Sequence, residues 1–286
     1  MKSIIATSIL AASIFISTNV NAAVPGSVRF NNEATDTTNI TNVLIKASEL
    51  PYNDRGKRIE FIASQFIDKP YKGGTLEFQP EQLTVNTDEF DCTTLVETIV
   101  AMEMTIDERR SSWRDFIYNL EKLRYRNGQV DGYASRLHYI SDWIVDNTHK
   151  GIITDVTARI ANPASQIKSL DFMTSNRDKY PALKDSATFE QMKKAEMGYR
   201  SHKIPYIKTI GIKEANLKTG DIVAITTDIK NLDVTHIGIV VFRDGKPHLL
   251  HASSKAGKVL IDPLPLENYV RRNKHNTGIR VIRMKE

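Results

Sequence analysis

The chain has 286 residues, of which 41% are hydrophobic and 26% are charged, as in an ordinary globular protein. Its net charge of +5 is modest, and the basic residues are scattered apart from a small cluster at Arg271, Arg272 and Lys274. The sequence therefore lacks the basic stripe of a nucleic-acid-binding protein. Its length allows one large domain or two small ones, with a core that needs no disulfides.

The first residues have the pattern of a secretory signal peptide. Lys2 supplies a positive charge, residues 4–16 form an apolar run too short to span a bilayer, and Val20-Asn21-Ala22 precedes a cleavage site before Ala23. No cysteine follows this run, which excludes a lipid anchor there. We expect residues 1–22 to be removed and the mature protein to be exported to the periplasm or secreted, without stable membrane association. A cytosolic protein with an apolar N-terminal helix is the alternative.

Helices are predicted in the first part of the mature chain. Residues 23–50 are a lead-in segment rich in Asn and Thr that ends in one helix. Apolar residues recur at helical spacing over 59–67, and the breakers of Lys69-Pro70-Tyr71-Lys72-Gly73-Gly74 end that helix. The apolar pattern of 95–104 predicts a buried helix that begins near Cys92.

The later part of the chain changes from helical to strand periodicity. From Trp113 to about Tyr199 the pattern is mostly helical and irregular, and a helical insertion is predicted over about 108–205. After Gly220, apolar runs of strand length follow one another, and Asp244-Gly245 between two of them is a hairpin signal. Helices followed by a strand meander predict an α+β fold, in which 51–286 form a single catalytic domain with a helix packed on an antiparallel sheet.

Cys92 is the candidate nucleophile. It is the only cysteine, and it lies where an acidic, turn-prone stretch passes into the apolar helical pattern. At a helix N-terminus the unpaired backbone N–H groups and the helix dipole favour a thiolate, so we expect a lowered pKa for this thiol. A lone cysteine in an exported protein cannot form a disulfide within its chain. The alternative role is that of a small buried hydrophobic residue.

Two histidines on predicted neighbouring strands are the candidate partners of the thiol. His236 would take the thiol proton as a general base and later protonate a leaving amine. His251 is one hairpin away and would orient the His236 imidazole. A histidine in a strand is otherwise an ordinary polar residue, and His138 is the other histidine for which both interpretations stay open. No Cys or His pair has zinc-ligand spacing, and Gly73-Gly74 lacks the context of a phosphate loop, so neither a metal nor another cofactor is predicted.

These residues form an ordered pattern that resembles a known superfamily. The pattern consists of Asp91-Cys92, Gly220-Asp221-Ile222-Val223, His236-Ile237-Gly238-Ile239 and His251-Ala252-Ser253-Ser254. It is similar to the signature of the NlpC-type, papain-like cysteine peptidases, which cut bacterial cell-wall peptides. Three further segments, at 74–77, 90–97 and 133–139, resemble the N-acetylmuramoyl-L-alanine amidase-like branch of that superfamily. The resemblance extends from about residue 55 to the end of the chain.

The resemblance implies a papain-like fold and a set of residue roles. The roles of nucleophile, general base and orienting group pass to Cys92, His236 and His251. Tyr71 corresponds to a tyrosine that lines the active site and helps to hold the oxyanion. Arg136 and His138, in the amidase-like segment, are candidate substrate contacts. The donor fork of Arg136 suits a peptide carboxylate or a lactyl carbonyl, and a structural ion pair is the alternative.

The chain departs from the general superfamily pattern in three ways. A long segment separates Gly74 from Asp91, and Thr93-Thr94 follows Cys92 in place of a Ser-Gly pair. The long insertion separates the nucleophile helix from the strands. We expect the insertion to wall off the cleft and to narrow the choice of substrate.

The sequence therefore predicts an exported cysteine amidase of peptidoglycan. Cys92 would attack the lactyl carbonyl of N-acetylmuramic acid, form a thioester and release a stem peptide that begins with L-alanine. Two alternatives stay open: an endopeptidase that cuts between D-glutamate and a diamino acid in the stem peptide, and a non-catalytic cell-wall binding protein. The predicted partner is peptidoglycan or a muropeptide.

Overall fold

The computed structural model describes residues 28–285, so the predicted signal peptide at 1–22 lies outside the described residues. Within this range the α-helices are α1 (Glu33–Ser48), α2 (Arg55–Ser64), α3 (Cys92–Asp107), α4 (Trp113–Arg124), α5 (Ile140–His149), α6 (Thr157–Ile160), α7 (Phe172–Ser175), α8 (Ser186–Met197) and α9 (Leu266–Arg271). The strands are β1 (Arg29–Phe30), β2 (Thr84–Val85), β3 (Ile153–Asp155), β4 (Ala164–Lys168), β5 (His202–Lys208), β6 (Ile222–Thr227), β7 (Val234–Arg243), β8 (Lys246–Ser253), β9 (Lys258–Pro265) and β10 (Asn276–Met284). None of these helices is long and apolar enough to cross a membrane.

Eight of the strands form one antiparallel sheet. Its order is β4-β5-β10-β6-β7-β8-β9, and β3 pairs with another part of β10. Strands β1 and β2 form a separate parallel pair. Helix α3 packs on β7 and β8. The predicted α+β class, with helices packed on an antiparallel sheet, is confirmed.

The hairpin predicted at Asp244-Gly245 joins β7 to β8. Arg243 pairs with Lys246, which leaves two residues in the turn. Both have positive φ, 51° for Asp244 and 72° for Gly245, as a type I′ turn requires. This turn sets the register between the two strands that carry His236 and His251.

Helix α3 begins at Cys92 because Asp91 caps it. The Asp91 carboxylate accepts hydrogen bonds from the backbone N–H groups of Thr93 and Thr94, at 2.9 and 2.8 Å. The Thr94 hydroxyl in turn accepts from the Asp91 backbone N–H, which completes a capping box. The residues from Thr94 to Ile106 are buried, so the predicted buried helix is confirmed. The cap places the thiol on the first turn of a rigid element.

Helix α1 packs into the same hydrophobic core as α2 and α3. Its apolar side chains Ile40, Leu44 and Ala47 have no exposed surface. The buried carboxylate of Asp36 accepts hydrogen bonds from the backbone N–H and the hydroxyl of Thr87. These bonds join α1 to the segment that leads toward α3.

The segment 108–205, for which the sequence predicts a mostly helical and irregular insertion, also contributes strands to the sheet. It contains α4 to α8, but also β3, β4 and the start of β5. Strands β3 and β5 pair with β10, and β4 pairs with β5. The residues of β4 are only half-buried or exposed, so their sequence has no apolar strand signature. Backbone pairing with distant strands determines this structure, which local periodicity does not reveal.

A buried ion pair between Arg58 of α2 and Glu103 of α3 holds these helices together. The two side chains are 1% and 0% exposed. Replacing Glu103 by alanine is expected to lower the free energy of unfolding by about 3 kcal/mol or more, because Arg58 would stay buried without its anion. The measurement is urea unfolding. The control is Glu60→Ala, which breaks the more exposed pair with Arg243 and should cost less than about 1 kcal/mol. Equal losses in both variants would contradict this account of the pair.

Candidate active site

The structure brings together Cys92, His236 and His251. Cys92 is the first residue of α3, and the histidines lie on β7 and β8. His236 Nε2 and His251 Nδ1 are 2.7 Å apart, and the two rings are perpendicular. Cys92 and His236 line the same cleft, and the backbone N–H of Ile237 acts to lower the pKa of the Cys92 thiol. The remaining ring nitrogen of His236, Nδ1, is therefore the one available to the thiol.

Gly238 permits the close approach of β7 and β8 beside the two histidines. A Cβ atom at this position would lie 2.8 Å from both the Leu250 carbonyl oxygen and a methyl carbon of Leu249. Contacts this short do not occur, so a larger residue would push the strands apart. The close packing of the two strands therefore explains why the His-Ile-Gly motif has glycine at position 238.

Tyr71 reaches the site through backbone pairing. The Lys72 N–H donates to the Phe90 carbonyl, and the Tyr71 N–H donates to the Gly257 carbonyl, both at 2.9 Å. The segment thus lies beside the residues that immediately precede Cys92. The pKa of Tyr71 is raised by burial and by the nearby Cys92 and Asp91, and the phenol stays a hydrogen-bond donor.

The ionisation of the Cys92 thiol differs from the sequence expectation. Burial, followed by the charge of Asp91, raises its pKa to about 11. The backbone N–H groups of Ile237 and Cys92 lower the pKa of the thiol, but by less than burial raises it. Burial also lowers the pKa of His236 to about 4 and that of His251 to about 3. The expectation of an acidic thiol is wrong, because desolvation outweighs the helix N-terminus; at neutral pH the resting groups are a thiol and neutral imidazoles.

The cleft beside Cys92 has a volume of about 210 Å³. Part of the lining comes from the segment that the sequence predicted to be an insertion, and another part comes from the start of β7 and the loop before it. The lining residues are Glu77, Cys92, Thr93, Tyr133, His138, Tyr139, Ile140, Phe172, Met173, Tyr180, Leu232, Asp233, Val234, Thr235, His236 and Ile237. Aromatic and polar groups thus converge on the thiol, as in small-molecule sites.

His138 lines this cleft, where the sequence proposed a substrate contact. Its Nε2 is 2.9 Å from the Tyr133 carbonyl oxygen, and its ring packs against the Tyr133 ring with centroids 4.4 Å apart. Burial holds the pKa of His138 well below its usual value. A carbonyl oxygen can only accept, so the neutral ring donates from Nε2 and keeps Nδ1 as an acceptor.

Arg136 does not line the cleft. Its guanidinium forms ion pairs with Glu77 at 2.8 Å and Glu81 at 3.1 Å, which is the alternative that the sequence left open. It also lies over the Tyr133 ring. The Tyr133 hydroxyl donates to the second carboxylate oxygen of Glu77. Arg136 and Tyr133 therefore hold Glu77, whose side chain is 34% exposed, at the edge of the cleft.

Four residues near the site received no role from the sequence. Glu77 and Asp233 line the cleft, Asp262 lies beside His251, and the Tyr269 ring contacts both imidazoles. For Asp262 the sequence did contain a signal, because Asp262-Pro263 interrupts an apolar strand pattern. Tyr269 carried no signal, because a tyrosine in a short amphipathic helix is ordinary.

The fold is that of an amidase-like hydrolase. The chain belongs to the N-acetylmuramoyl-L-alanine amidase-like family, whose model matches residues 61–279.

Solved structures agree with this assignment. An N-acetylmuramoyl-L-alanine amidase from Bacteroides uniformis is 39% identical, with a TM-score of 0.78 over 82% of this chain and 100% of that one. A Bacteroides fragilis protein described as a xylanase is 41% identical, with a TM-score of 0.74 over 78% of this chain and 98% of that one. A Legionella pneumophila protein, 20% identical with a TM-score of 0.67 over 89% of this chain and 96% of that one, shares the fold. Among curated proteins no sequence matches the chain.

Proposed function

We propose that this protein is an exported cysteine amidase that hydrolyses the amide between N-acetylmuramic acid and the L-alanine of the stem peptide. The observation that carries the proposal is the cluster of Cys92, His236 and His251 at the N-terminus of α3, with the imidazoles 2.7 Å apart. Family membership and the Bacteroides uniformis amidase supply the substrate class. The pattern of residues 1–22 supports export to the periplasm or beyond the cell.

The proposed reaction begins with proton transfer from the Cys92 thiol to Nδ1 of His236. The sulfur attacks the lactyl carbonyl carbon, and the carbonyl oxygen becomes an oxyanion. The backbone N–H of Cys92, at the positive end of α3, and the Tyr71 hydroxyl are the proposed donors to that oxyanion.

Collapse of this intermediate breaks the carbon–nitrogen bond. His236 returns its proton to the leaving amine, which departs as the N-terminus of the stem peptide. Water then attacks the thioester with His236 again as base, and the free thiol is restored.

The arrangement also supports a papain-like fold of the NlpC type. In such a fold a helix carries the nucleophile on its first turn and packs against the strands that carry the base. Here α3 packs on β7 and β8, which hold His236 and His251.

A glycosidase, as the Bacteroides fragilis name would suggest, is not favoured by this cleft. Glycosidases use a pair of carboxyl groups that flank the scissile bond. The two carboxylates in the cleft are occupied: Glu77 by Arg136 and Tyr133, and Asp233 by the backbone N–H groups of Ser141 and Val234.

The test is mass spectrometry of purified muropeptides after incubation with the mature protein. We expect release of an intact stem peptide that begins with L-alanine, and no release by Cys92→Ala. Cleavage between D-glutamate and the diamino acid would instead assign an endopeptidase with the same catalytic residues. No cleavage of any muropeptide would contradict the proposal and favour a binding protein.

A further inference from the structure

His251 has a buried ring nitrogen that the proposed mechanism does not use. Its side chain has no exposed surface, and its Nδ1 contacts His236. The other nitrogen, Nε2, has no hydrogen-bond partner among the described residues. The closest carboxylate oxygen on the neighbouring strand is Oδ2 of Asp262, at 3.9 Å. This separation exceeds a hydrogen bond but is within the range of a strong charge interaction in a buried site.

The direction of the bond between the histidines decides whether His236 can act as a base. To accept the Cys92 proton, Nδ1 of His236 must be unprotonated, so its Nε2 carries hydrogen and donates to Nδ1 of His251. Nδ1 of His251 must then be unprotonated, and its hydrogen lies on Nε2. In the opposite tautomer, Nδ1 of His236 already carries a hydrogen and cannot take the thiol proton.

An irregularity of β9 places Asp262 beside His251. His248 pairs with Pro265 while Leu250 pairs with Ile261, so three residues of β9 face one residue of β8. Pro263 lies within this bulge and cannot donate to the ladder. The Asp262 side chain uses only Oδ1 in the bulge, accepting from the Leu264 N–H at 2.9 Å. Oδ2 is the oxygen that faces His251.

We infer that Asp262 is a positioning residue that keeps the hydrogen of His251 on Nε2, and thereby keeps Nδ1 of His236 free to take the Cys92 proton. The inference rests on the cysteine mechanism proposed above. A carboxylate favours a hydrogen on the nitrogen that faces it and stabilises the positive charge that develops on the imidazoles when the thiol is deprotonated. No proton moves to Asp262 in this scheme.

The other groups around the histidines do not supply the negative charge that this positioning role requires. Tyr269 of α9 packs against the His251 ring at 5.0 Å. Burial, followed by Asp262 and Cys92, raises the pKa of Tyr269 to about 12, so the phenol is neutral. The Asp91 carboxylate caps α3 through the N–H groups of Thr93 and Thr94, and His248 Nδ1 contacts the main-chain carbonyl of Asp262. The carboxylate of Asp262 is thus the anion on the Nε2 side of His251.

The variant Asp262→Asn separates the effect of Asp262 on the His251 tautomer from its hydrogen bond to the Leu264 N–H in the bulge. The Leu264 N–H needs an acceptor, so the amide oxygen takes the place of Oδ1 and the NH₂ group faces His251. A donor at that place favours an unprotonated Nε2, which is the unproductive tautomer. The bulge bond is retained in this variant.

The experiment measures the rate of Cys92 alkylation by iodoacetamide against pH, which requires no muropeptide. Above the acid limb of His236, near its pKa of about 4, the rate depends on proton transfer to His236 and forms a plateau; thiolate that forms without His236 adds a rise toward the pKa of the Cys92 thiol, about 11. We expect Asp262→Asn to lower the plateau about 100-fold. The rise at the highest pH, where thiolate forms without His236, should be unchanged. Asp262→Glu, which keeps a carboxylate, should recover part of the plateau.

Asp228→Asn is the matched control, because Asp228 pairs with the exposed His275 at 2.8 Å and lies outside the cleft lining. A second measurement needs no variant: ¹⁵N shifts of the histidine rings in the unmodified protein should show hydrogen on Nε2 of His251. An unchanged plateau in Asp262→Asn, or hydrogen on Nδ1 of His251, overturns the inference. A lowered plateau without muropeptide cleavage by the unmodified protein would support Asp262 while contradicting the amidase proposal.

Discussion

Replacing Cys92 by alanine is expected to lower kcat/KM for muropeptide hydrolysis by about 10⁵-fold or more, because the sulfur that would form the thioester is lost. The fold should be retained. Position 92 is the first residue of α3 and only half-buried, and alanine is the best helix former. The measurements are hydrolysis rates, thermal unfolding and calorimetric binding of a muropeptide. We expect the dissociation constant to change little, since the cleft lining is otherwise intact.

A chemical control supports the same point in the unmodified protein. Because Cys92 is the only cysteine, one equivalent of iodoacetamide should add one label and abolish activity. Hydrolysis that survives Cys92→Ala would remove this residue from the chemistry. Loss of binding together with loss of activity would mean that the substitution damaged the cleft.

Replacing His236 by alanine is expected to lower kcat/KM by about 10³-fold, because the thiol would lose its base. Burial raises the pKa of the Cys92 thiol to about 11, so little thiolate forms without His236 at neutral pH. In His236→Ala the activity should therefore rise with pH toward that value. The control is His275→Ala, which removes an exposed histidine paired with Asp228.

The unmodified protein should have an acid limb set by His236. Its pKa falls from 6.5 to about 4, so the base form persists below the usual histidine range and is lost as pH drops through about 4. The same shift affects stability. Between about 6.5 and about 4 the unfolded chain binds protons that the buried imidazole does not, so the free energy of unfolding falls as pH falls through this window. An acid limb near 6.5 would contradict the assigned burial of the base.

Most of the elements that carry the site could be predicted from local patterns. The breakers after α2, the apolar face of α3 and the turn at Asp244-Gly245 each have a cause within a few residues of the chain. The strands β3, β4 and β5 could not, because they are short or polar and are stabilised by pairing with distant parts of the sheet.

The candidate site divides in the same way. Residue type and order selected Cys92, His236 and His251, and the structure places them together. Arg136 could not be assigned from sequence, because a guanidinium suits a substrate carboxylate and an internal ion pair equally well. Its position between Glu77 and Glu81 decided for the ion pair. The charge state of the thiol could not be predicted from the sequence either, because it depends on burial by residues remote in the chain.

The sequence by itself determined the family resemblance, the α+β class and the three residues proposed for catalysis, since each depends on residue identity, order or short-range periodicity. Only the tertiary structure decided which groups surround them. The cleft walls come from 133–180 and from the loop before β7, and Asp262 reaches His251 through a bulge in β9. Hydrogen-bond direction, desolvation and charge act over a few ångströms in space, and residues far apart in the chain are brought within that distance only by folding.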